Sequence, residues 1–372
     1  MDIQWADDGQ ITVDIYTNFV DYNNEYSTGR NNGKIVLGDL LIGTDGGRLK
    51  LSATDLDISI SAWIGARVDE EGATTIPARL LNDFVAQLPP ETTIIELPDG
   101  GRQVRLECAR HEATINIMNA DDFPVIESLD EGISIDPDPS ALKHAIDRVE
   151  FAAASDDTRP VLTGVSFKTN GDILTLAAAD GFRLAVSDVD LVTEPSEPLD
   201  IIVPARALRE LSRLMSDSDD AFTIRINSEK TKILFGRADF EIVAQLVQGT
   251  FPNYQQLIPS EWATRTIVDA NQFSRSARIA AVLARDGSGI VRIQITPEGD
   301  SSEGDSSGKL IISARADEIG DNQNEIEVQI EGESSKIAFN SRYLKDVLDA
   351  LSGDIALETT SPSSQGVFRS VN

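Results

Sequence analysis

A unit of roughly 125 residues occurs three times in this 372-residue chain, and the repeat limits the possible folds more than any other feature. Each copy contains a short apolar segment that ends in an arginine and continues into an amphipathic pattern. These arginines, Arg79, Arg206 and Arg342, stand 127 and 136 positions apart. Phe123-Pro124 also recurs at Phe251-Pro252, 128 positions later. A chain of this length can bury a core in each copy. We therefore predict three tandem domains with the boundaries 1–130, 131–260 and 261–372.

The predicted order of elements is the same in each copy. A strand ends in Pro-Ala-Arg or Asn-Ser-Arg and leads into a helix with apolar residues at helical spacing, as at Leu80, Phe84 and Leu88. A second predicted helix opens the second and third copies, over 138–154 and 269–283, and each begins with a capping residue. The remaining segments alternate with a period of two, which indicates antiparallel strands. The predicted fold class is α+β, with two helices packed on an antiparallel sheet in each unit.

The sequence carries no recognisable signature of catalysis, of a metal site or of a cofactor. It has no P-loop, dinucleotide-binding or nucleophile-elbow motif. The one cysteine, Cys108, is predicted to be a buried small side chain, and His111 to lie at the surface. Because Asp and Glu number 62, clusters such as Asp121-Asp122 indicate solvated loops. We therefore predict a scaffold without cofactor or metal. A hydrolase stays as an alternative, to be revived by turnover that one Asp or His substitution abolishes.

Targeting signals are also missing from the sequence. No run of 18 apolar residues occurs, and the first ten residues are acidic rather than basic and then apolar. We expect a cytoplasmic protein that does not bind membranes.

Positive charge is concentrated in the predicted helices of an acidic chain. The whole chain has 32 Lys and Arg against 62 Asp and Glu, a net charge of -30. Five helix segments hold eleven basic and six acidic residues, whereas the rest of the chain holds 21 and 56. The segments are 79–88, 141–154, 206–215, 272–285 and 342–351. This split predicts a helix-lined surface that faces a polyanion and contacts its phosphates. The alternative is that amphipathic helices simply expose some Lys and Arg.

Seven motifs are distributed in order over all three copies. They are Leu51–Asp57, Gly72–Arg79, Asp121–Pro124, Asp157–Gly164, Ala179–Ala185, Gly249–Tyr254 and Phe339–Leu344. Together they resemble the bacterial sliding clamp family, the β subunits of the DNA polymerase III holoenzyme, over about residues 33–368. The resemblance implies three similar domains per chain, paired head to tail with a second chain in a closed ring. Helices would form the inner wall of the homodimer and sheets the outer wall.

The resemblance implies a function without chemistry. A ring around double-stranded DNA is held by topology and tethers DNA polymerase III as a processivity factor for replication. A clamp loader would open the ring with ATP, and other proteins with clamp-binding motifs would dock on it. The alternative is a divergent clamp-derived interaction module that no longer closes around DNA.

The resemblance also assigns two sets of residues. Sequence-independent DNA contacts would come from Arg159, Lys143, Arg148, Arg206, Arg209, Arg213, Arg275 and Arg278. The partner-peptide pocket, between the second and third domains, would use Leu162, Ala179, Gly181, Phe182, Arg183, Leu184, Pro252, Gln256, Leu257, Asn340, Tyr343 and Ser364. For Leu162, Leu184, Leu257 and Tyr343, core packing is the alternative.

Two segments depart from the repeat. Residues 13–26 stand where the opening helix of the first unit is expected, but they are rich in β-branched, aromatic and Asn residues, which predicts a weak or missing helix. Arg79 and Arg206 are followed by Phe-Pro 44 and 45 residues later, whereas the sequence stops at Asn372, about fifteen residues before the corresponding position after Arg342. The resemblance implies that this stretch supplies the last strand of the third domain and one wall of the pocket, so we expect both to be missing.

Overall fold

The computed structural model describes residues 38–98, 101–156, 158–215, 222–285, 288–298, 306–316 and 319–371, together with the backbone of 2–5 and 11–14. These residues form two compact units. The larger unit contains the residues up to Asp180 together with Ala185–Phe251. The smaller unit contains Gly181–Leu184 and the residues from Pro252 onward.

The larger unit contains three helices and seventeen strands among its described residues. The helices are α1 (Ala78–Val85), α2 (Pro139–Val149) and α3 (Ala205–Leu214). The strands are β1 (Asp2–Trp5), β2 (Ile11–Asp14), β3 (Asp39–Asp45), β4 (Arg48–Thr54), β5 (Ile58–Gly65), β6 (Ala73–Pro77), β7 (Thr93–Glu96), β8 (Gln103–Cys108), β9 (His111–Asn116), β10 (Ile133–Ile135), β11 (Gly164–Asn170), β12 (Ile173–Ala179), β13 (Leu184–Asp190), β14 (Asp200–Pro204), β15 (Thr223–Ile226), β16 (Lys232–Arg237) and β17 (Phe240–Gln245).

The smaller unit is built on a single seven-stranded sheet. Its helices are α4 (Ala270–Arg285) and α5 (Ser341–Ala350). Its strands are β18 (Thr264–Asp269), β19 (Ile290–Pro297), β20 (Ser306–Ala316), β21 (Gly320–Gly332), β22 (Ser335–Asn340), β23 (Asp354–Thr359) and β24 (Gly366–Ser370). The strand order is β22-β19-β20-β21-β18-β23-β24, and all pairs are antiparallel. The predicted mixture of helices and antiparallel sheet is therefore confirmed.

One sheet joins the first two repeats. Its order is β10-β15-β16-β17-β5-β4-β3-β6, so β17 of the second repeat pairs with β5 of the first. The pairing aligns Phe240 with Ala62 and Ile242 with Ile60. Because each strand satisfies the edge of the other, neither repeat leaves backbone donors unpaired there. Two further sheets of the larger unit have the strand orders β13-β12-β11-β14 and β7-β8-β9.

Three clusters of buried apolar side chains form the cores. One lies in each of the first two repeats and one lies in the smaller unit. In every case a helix presents its apolar side to a sheet: α3 buries Leu208 and Leu211 completely, and α4 buries Phe273. Further along the same side of α4 are Ala277, Ala280 and Ala284, small residues that bring the helix close to its sheet.

The strand-to-helix junctions agree with the sequence prediction. Pro77 and Pro204 stand immediately before α1 and α3 with φ of -53° at both, which suits the residue before a helix. In the third copy Asn340 replaces the proline, and its Oδ1 accepts a hydrogen bond from the backbone N–H of Arg342 at 2.9 Å. Asp138 caps α2 in the same way through the N–H of Ala141 at 2.8 Å.

The structure corrects the predicted face of the first helix. Leu80 is 50% exposed, and the residues that α1 buries are Ala78 and Leu81. The helix ends at Val85, so Leu88 lies beyond it. The predicted irregularity over 13–26 lies outside the described residues, apart from Val13 and Asp14 at the end of β2.

Candidate functional site

Seven of the eight cations predicted to contact DNA lie on helices, and the eighth lies in a loop. Helix α2 carries Lys143 and Arg148, α3 carries Arg206, Arg209 and Arg213, and α4 carries Arg275 and Arg278. Arg159 immediately precedes a one-turn 3₁₀ helix, Pro160–Leu162. Since the opposite side of each helix is buried in a core, these cations occupy the outward side.

In the larger unit, α2 and α3 are connected by polar contacts. The guanidinium of Arg209 donates two hydrogen bonds to Oε2 of Glu150, just after α2, at 2.7 and 3.1 Å. Lys143 Nζ lies 3.1 Å from Asp147 Oδ2 one turn later on α2. Ser212 of α3 also hydrogen-bonds to Asp147. Each of the two carboxylates therefore partners a predicted DNA contact.

In the smaller unit, α4 and α5 have a corresponding arrangement. Arg278 Nη2 lies 2.6 Å from Asp349 Oδ1, and Lys345 Nζ lies 2.7 Å from Asp349 Oδ2. Burial opposes ionisation of the Asp349 carboxyl, but the hydrogen bonds and charges of Lys345 and Arg278 outweigh it and lower the pKa of Asp349. One carboxylate thus balances two cations.

Arg206 is held at the junction of the first two repeats. Its Nη2 lies 2.5 Å from Oδ2 of Asp55, in the turn between β4 and β5. The other oxygen of Asp55 accepts the backbone N–H groups of Asp57 and Ile58 at 3.1 and 2.8 Å. The recurring arginine of the repeat therefore makes a structural contact in the second copy, in addition to any role towards DNA.

The remaining cations differ in how they are held. Arg213 pairs with Glu210 at 2.8 Å, and Arg159 donates to the backbone carbonyl of Asp180 at 2.9 Å. Arg148 and Arg275 are exposed and form no ion pair with any residue that the structure describes. These two are the predicted contacts whose charge is most available to a ligand.

The carboxylates that accompany these cations are not among the site residues predicted from the sequence. The spacing of four residues between Lys143 and Asp147, and between Lys345 and Asp349, carries a signal for a pair on one helix. The pairs Arg209–Glu150 and Arg278–Asp349 connect residues 59 and 71 positions apart, which no local pattern identifies.

Several residues of the predicted peptide pocket lie together in the smaller unit. Phe182 is 81% exposed and stacks on Tyr343, with ring centroids 6.4 Å apart. The guanidinium of Arg183 lies 4.6 Å from the centroid of the same tyrosine, and its Nη1 pairs with Asp346 at 2.5 Å. Leu257, which is 56% exposed, ends a one-turn 3₁₀ helix, Gln255–Leu257. The smaller unit thus displays apolar and aromatic groups that its own core does not bury.

The other predicted pocket residues have varied surroundings. Within the smaller unit, Pro252 and Gln256 are exposed, Gly181 lies in the short segment before β13, and Leu184 is the first residue of that strand. Asn340 caps α5, and the Ser364 hydroxyl lies 2.6 Å from that of Ser361. In the larger unit, Leu162 is 7% exposed and Ala179 ends β12. Core packing therefore describes Leu162, but not Leu257.

Among the described residues, no helix is long and apolar enough to span a membrane. In the same part of the chain, no three His, Cys, Asp or Glu side chains form a group that could hold a metal ion. Cys108 is buried, as predicted, and His111 lies at the surface, at the start of β9.

Family profiles match all three repeats of the chain. The N-terminal, central and C-terminal domains of the DNA polymerase III beta subunit match residues 26–127, 137–253 and 255–371. The three profiles follow each other in the order of the three repeats.

Curated relatives match over most of their length. The chain is 32% identical to the beta sliding clamp of Synechococcus elongatus over 337 residues, which is 90% of this chain and 88% of that protein. It is 30% identical to the beta sliding clamp of Caulobacter vibrioides, over 87% of this chain and 85% of that protein.

Solved structures have the same fold. The DNA polymerase III beta subunit of Thermotoga maritima matches with a TM-score of 0.77 and 26% identity, over 92% of this chain and 90% of that one. The sliding clamp of Bacillus subtilis matches with a TM-score of 0.77 and 28% identity, over 90% and 88%. Three clamp domains in tandem, each of helices on antiparallel sheet, place the chain among the DNA clamps. Within that class, it belongs to the bacterial beta sliding clamp family.

Proposed function

We propose that this chain is the processivity factor of a bacterial DNA polymerase, and that two copies close head to tail into a ring around duplex DNA. The observation that carries the proposal is the match to beta sliding clamps over all three domains in order. A protein that resembled clamps in one domain only would have no basis for closing a ring.

The charge pattern supports passage of duplex DNA without sequence recognition. The cations lie on the outward side of two helix pairs, and phosphate contacts by Arg and Lys carry no sequence information. The chain as a whole is strongly acidic, which disfavours nucleic acid on its other surfaces. Retention would then depend on topology, and affinity could stay low enough for sliding.

The β5–β17 junction is a template for ring closure. It joins two repeats edge to edge through main-chain hydrogen bonds. A homodimer formed by the same kind of pairing between copies would remove further exposed strand edges, which is how closed assemblies protect them.

The aromatic and apolar groups around Phe182 and Tyr343 would receive partner peptides. The partners that supply these peptides would be DNA polymerase III, the clamp loader and other proteins with clamp-binding motifs. The other residues of the smaller unit that were assigned to the pocket from the sequence would complete it. A tethered polymerase gains a high effective concentration at the primer end, so the clamp needs no catalytic group of its own. A protein with this function would work in the cytoplasm, with the chromosome.

The first test is the mass in solution by size exclusion with light scattering. We expect about 81 kDa, twice the 40.3 kDa of one chain, over a wide range of protein concentration. A mass of 40.3 kDa at every concentration would contradict the ring.

The second test is topological. After loading on a nicked circular plasmid by clamp loader and ATP, the protein should elute with the DNA and should be released when a restriction enzyme linearises the plasmid. Release from circles as fast as from linear DNA would instead support the clamp-derived interaction module, which the full-length matches do not favour.

A further inference from the structure

Both helix pairs share a feature that DNA binding alone does not require. In each pair, an arginine on one helix forms an ion pair with a carboxylate on the other helix or just after it: Arg209 with Glu150, which follows α2, and Arg278 with Asp349 on α5. In each pair, too, a lysine is balanced by an aspartate one turn later, Lys143 by Asp147 and Lys345 by Asp349. The same arrangement therefore occurs in two separate units.

The exposure of these pairs makes a purely structural role a poor explanation. The side chains of the cations Arg209, Arg278 and Lys345 are 46%, 59% and 51% exposed, and those of their partners Glu150 and Asp349 are 19% and 32% exposed. Ion pairs this open to solvent contribute little to folding, because water screens them and the side chains lose entropy. The same exposure leaves each cation within reach of a phosphate. The ion pairs thus affect the charge that DNA meets more than they affect stability.

We infer that Glu150, Asp147 and Asp349 are intramolecular competitors of DNA phosphates, and that they set how weakly the helices hold the duplex. The inference rests on the proposed function, and it identifies the residues that tune it. A phosphate that takes Arg209 or Arg278 must displace a carboxylate that is already 2.6–2.7 Å away. The displaced carboxylate then attracts a cation from solution.

This exchange has a consequence for the dependence of binding on salt. Each phosphate that a free cation neutralises releases condensed counterions. The slope of log K against the logarithm of the salt concentration then becomes steeper by about 0.9 per phosphate. A paired cation gives a smaller net release, because the freed carboxylate recaptures an ion. The resident carboxylates should therefore make DNA binding both weaker and less dependent on salt, as suits a ring that must slide.

The test compares isosteric variants that remove one negative charge each. Glu150→Gln frees Arg209, and Asp349→Asn frees both Arg278 and Lys345. The matched control is Asp200→Asn, which removes the same charge from a pair with Lys168 on β11 and β14, where both side chains are 60% exposed. Binding of the purified dimer to a short fluorescent duplex would be measured by anisotropy across a series of KCl concentrations.

We expect Glu150→Gln and Asp349→Asn to bind duplex severalfold more tightly than the parent chain at low salt. Their slopes should be steeper by about one for Glu150→Gln and by one to two for Asp349→Asn. Asp200→Asn should change both values less. The inference is overturned if both variants have the same affinity and salt slope as Asp200→Asn. Unchanged thermal unfolding of the variants would exclude misfolding as the cause of any difference.

The variant Arg275→Gln tests whether the helices contact DNA at all, independently of whether the carboxylates compete with phosphates. Arg275 forms no ion pair with the part of the chain that the structure describes, so its loss should weaken binding directly. If Arg275→Gln weakens binding while the carboxylate variants match the control, the helices contact DNA but the carboxylates do not compete. If the parent and all variants leave the duplex unbound at every salt concentration, the helices do not contact DNA and the inference fails, whereas the proposed function is decided separately by retention on the circular plasmid.

Discussion

At the scale of single residues, backbone geometry makes some positions specific for glycine. Gly132 precedes β10 with φ of +142°, and a Cβ built there would lie 2.0 Å from the carbonyl oxygen of Ile226. Gly171, in the turn between β11 and β12, has φ of +62°, but its Cβ would meet nothing within 4 Å. Both conformations are uncommon for other residues, but only at Gly132 would the new side chain collide with backbone that cannot yield.

These two glycines give a matched pair of predictions. Gly132→Ala should lower the free energy of unfolding by about 3 kcal/mol or more, since strain and a backbone clash add. Gly171→Ala should cost about 1 kcal/mol, the strain alone. Urea unfolding followed by circular dichroism would measure both. Equal losses in the two variants would show that the contact with Ile226 carries no cost.

The carboxyl of Asp39 predicts a pH effect on stability. Burial raises its pKa, and the hydrogen bond from the Thr75 hydroxyl, at 3.5 Å, lowers it to a smaller extent. Because the pKa is higher in the folded state, the contribution of Asp39 is fully present below the pKa of the unfolded chain and is lost as pH rises through the folded value.

Asp39→Asn should therefore gain stability relative to the parent chain as pH rises from about 3 to 7, since it removes a charge that folding disfavours. Thermal unfolding of both chains across this range would measure the difference. Asp69→Asn, at an exposed side chain, is the control for the loss of one negative charge. The expected sign is contradicted if the stability of the parent chain relative to Asp39→Asn is greater at pH 7 than at pH 3.

At the scale of elements, periodicity identified the helices and strands better than it identified their faces. The predicted helices over 138–154 and 269–283 became α2 with a 3₁₀ turn, and α4. In α1 the apolar pattern suggested Leu80, whereas the structure buries Leu81. A short helix with several leucines offers two apolar stripes, and only the position of its sheet decides between them.

The candidate site was predictable to the same extent. The repeats and the local charge excess indicated which helices carry the cations, because these are properties of neighbouring residues. The partners Asp55, Glu150 and Asp349 come from other elements, so tertiary packing alone reveals them. The aromatic contact of Phe182 with Tyr343 spans 161 positions and became a candidate only through the family resemblance.

That contact makes a prediction about partner binding. Phe182→Ala should weaken binding of a polymerase III clamp-binding peptide by about 2 kcal/mol, the usual cost of truncating a central aromatic anchor. Because Phe182 is 81% exposed, thermal stability should stay unchanged. Fluorescence polarisation with a labelled peptide would measure the affinity. Val125→Ala, at a side chain 89% exposed, is the control and should bind as the parent does.

At the scale of the whole molecule, a net charge of -30 means that carboxylates commonly outnumber the cations they surround. Arg105 illustrates this, with Glu96, Glu107 and Glu112 all within 3.4 Å. Lys309 is similarly placed between Glu298 and Glu325. Such clusters leave negative charge uncompensated, and that excess opposes the compact state.

Added salt should therefore stabilise the fold. At 1 M KCl the screening length falls to about 3 Å, which suppresses repulsion between separate carboxylates more than attraction within contact pairs. We expect the midpoint of thermal unfolding to rise by about 5 °C or more between low salt and 1 M KCl. A chain with Glu70, Glu71 and Glu131 changed to Gln should start higher and rise less. A midpoint that falls with KCl would show instead that the ion pairs dominate. Because KCl also weakens phosphate contacts, the stability of the fold and its affinity for DNA should respond to KCl in opposite directions. At the salt concentrations where the fold is most stable, only a ring held by topology can therefore keep its DNA.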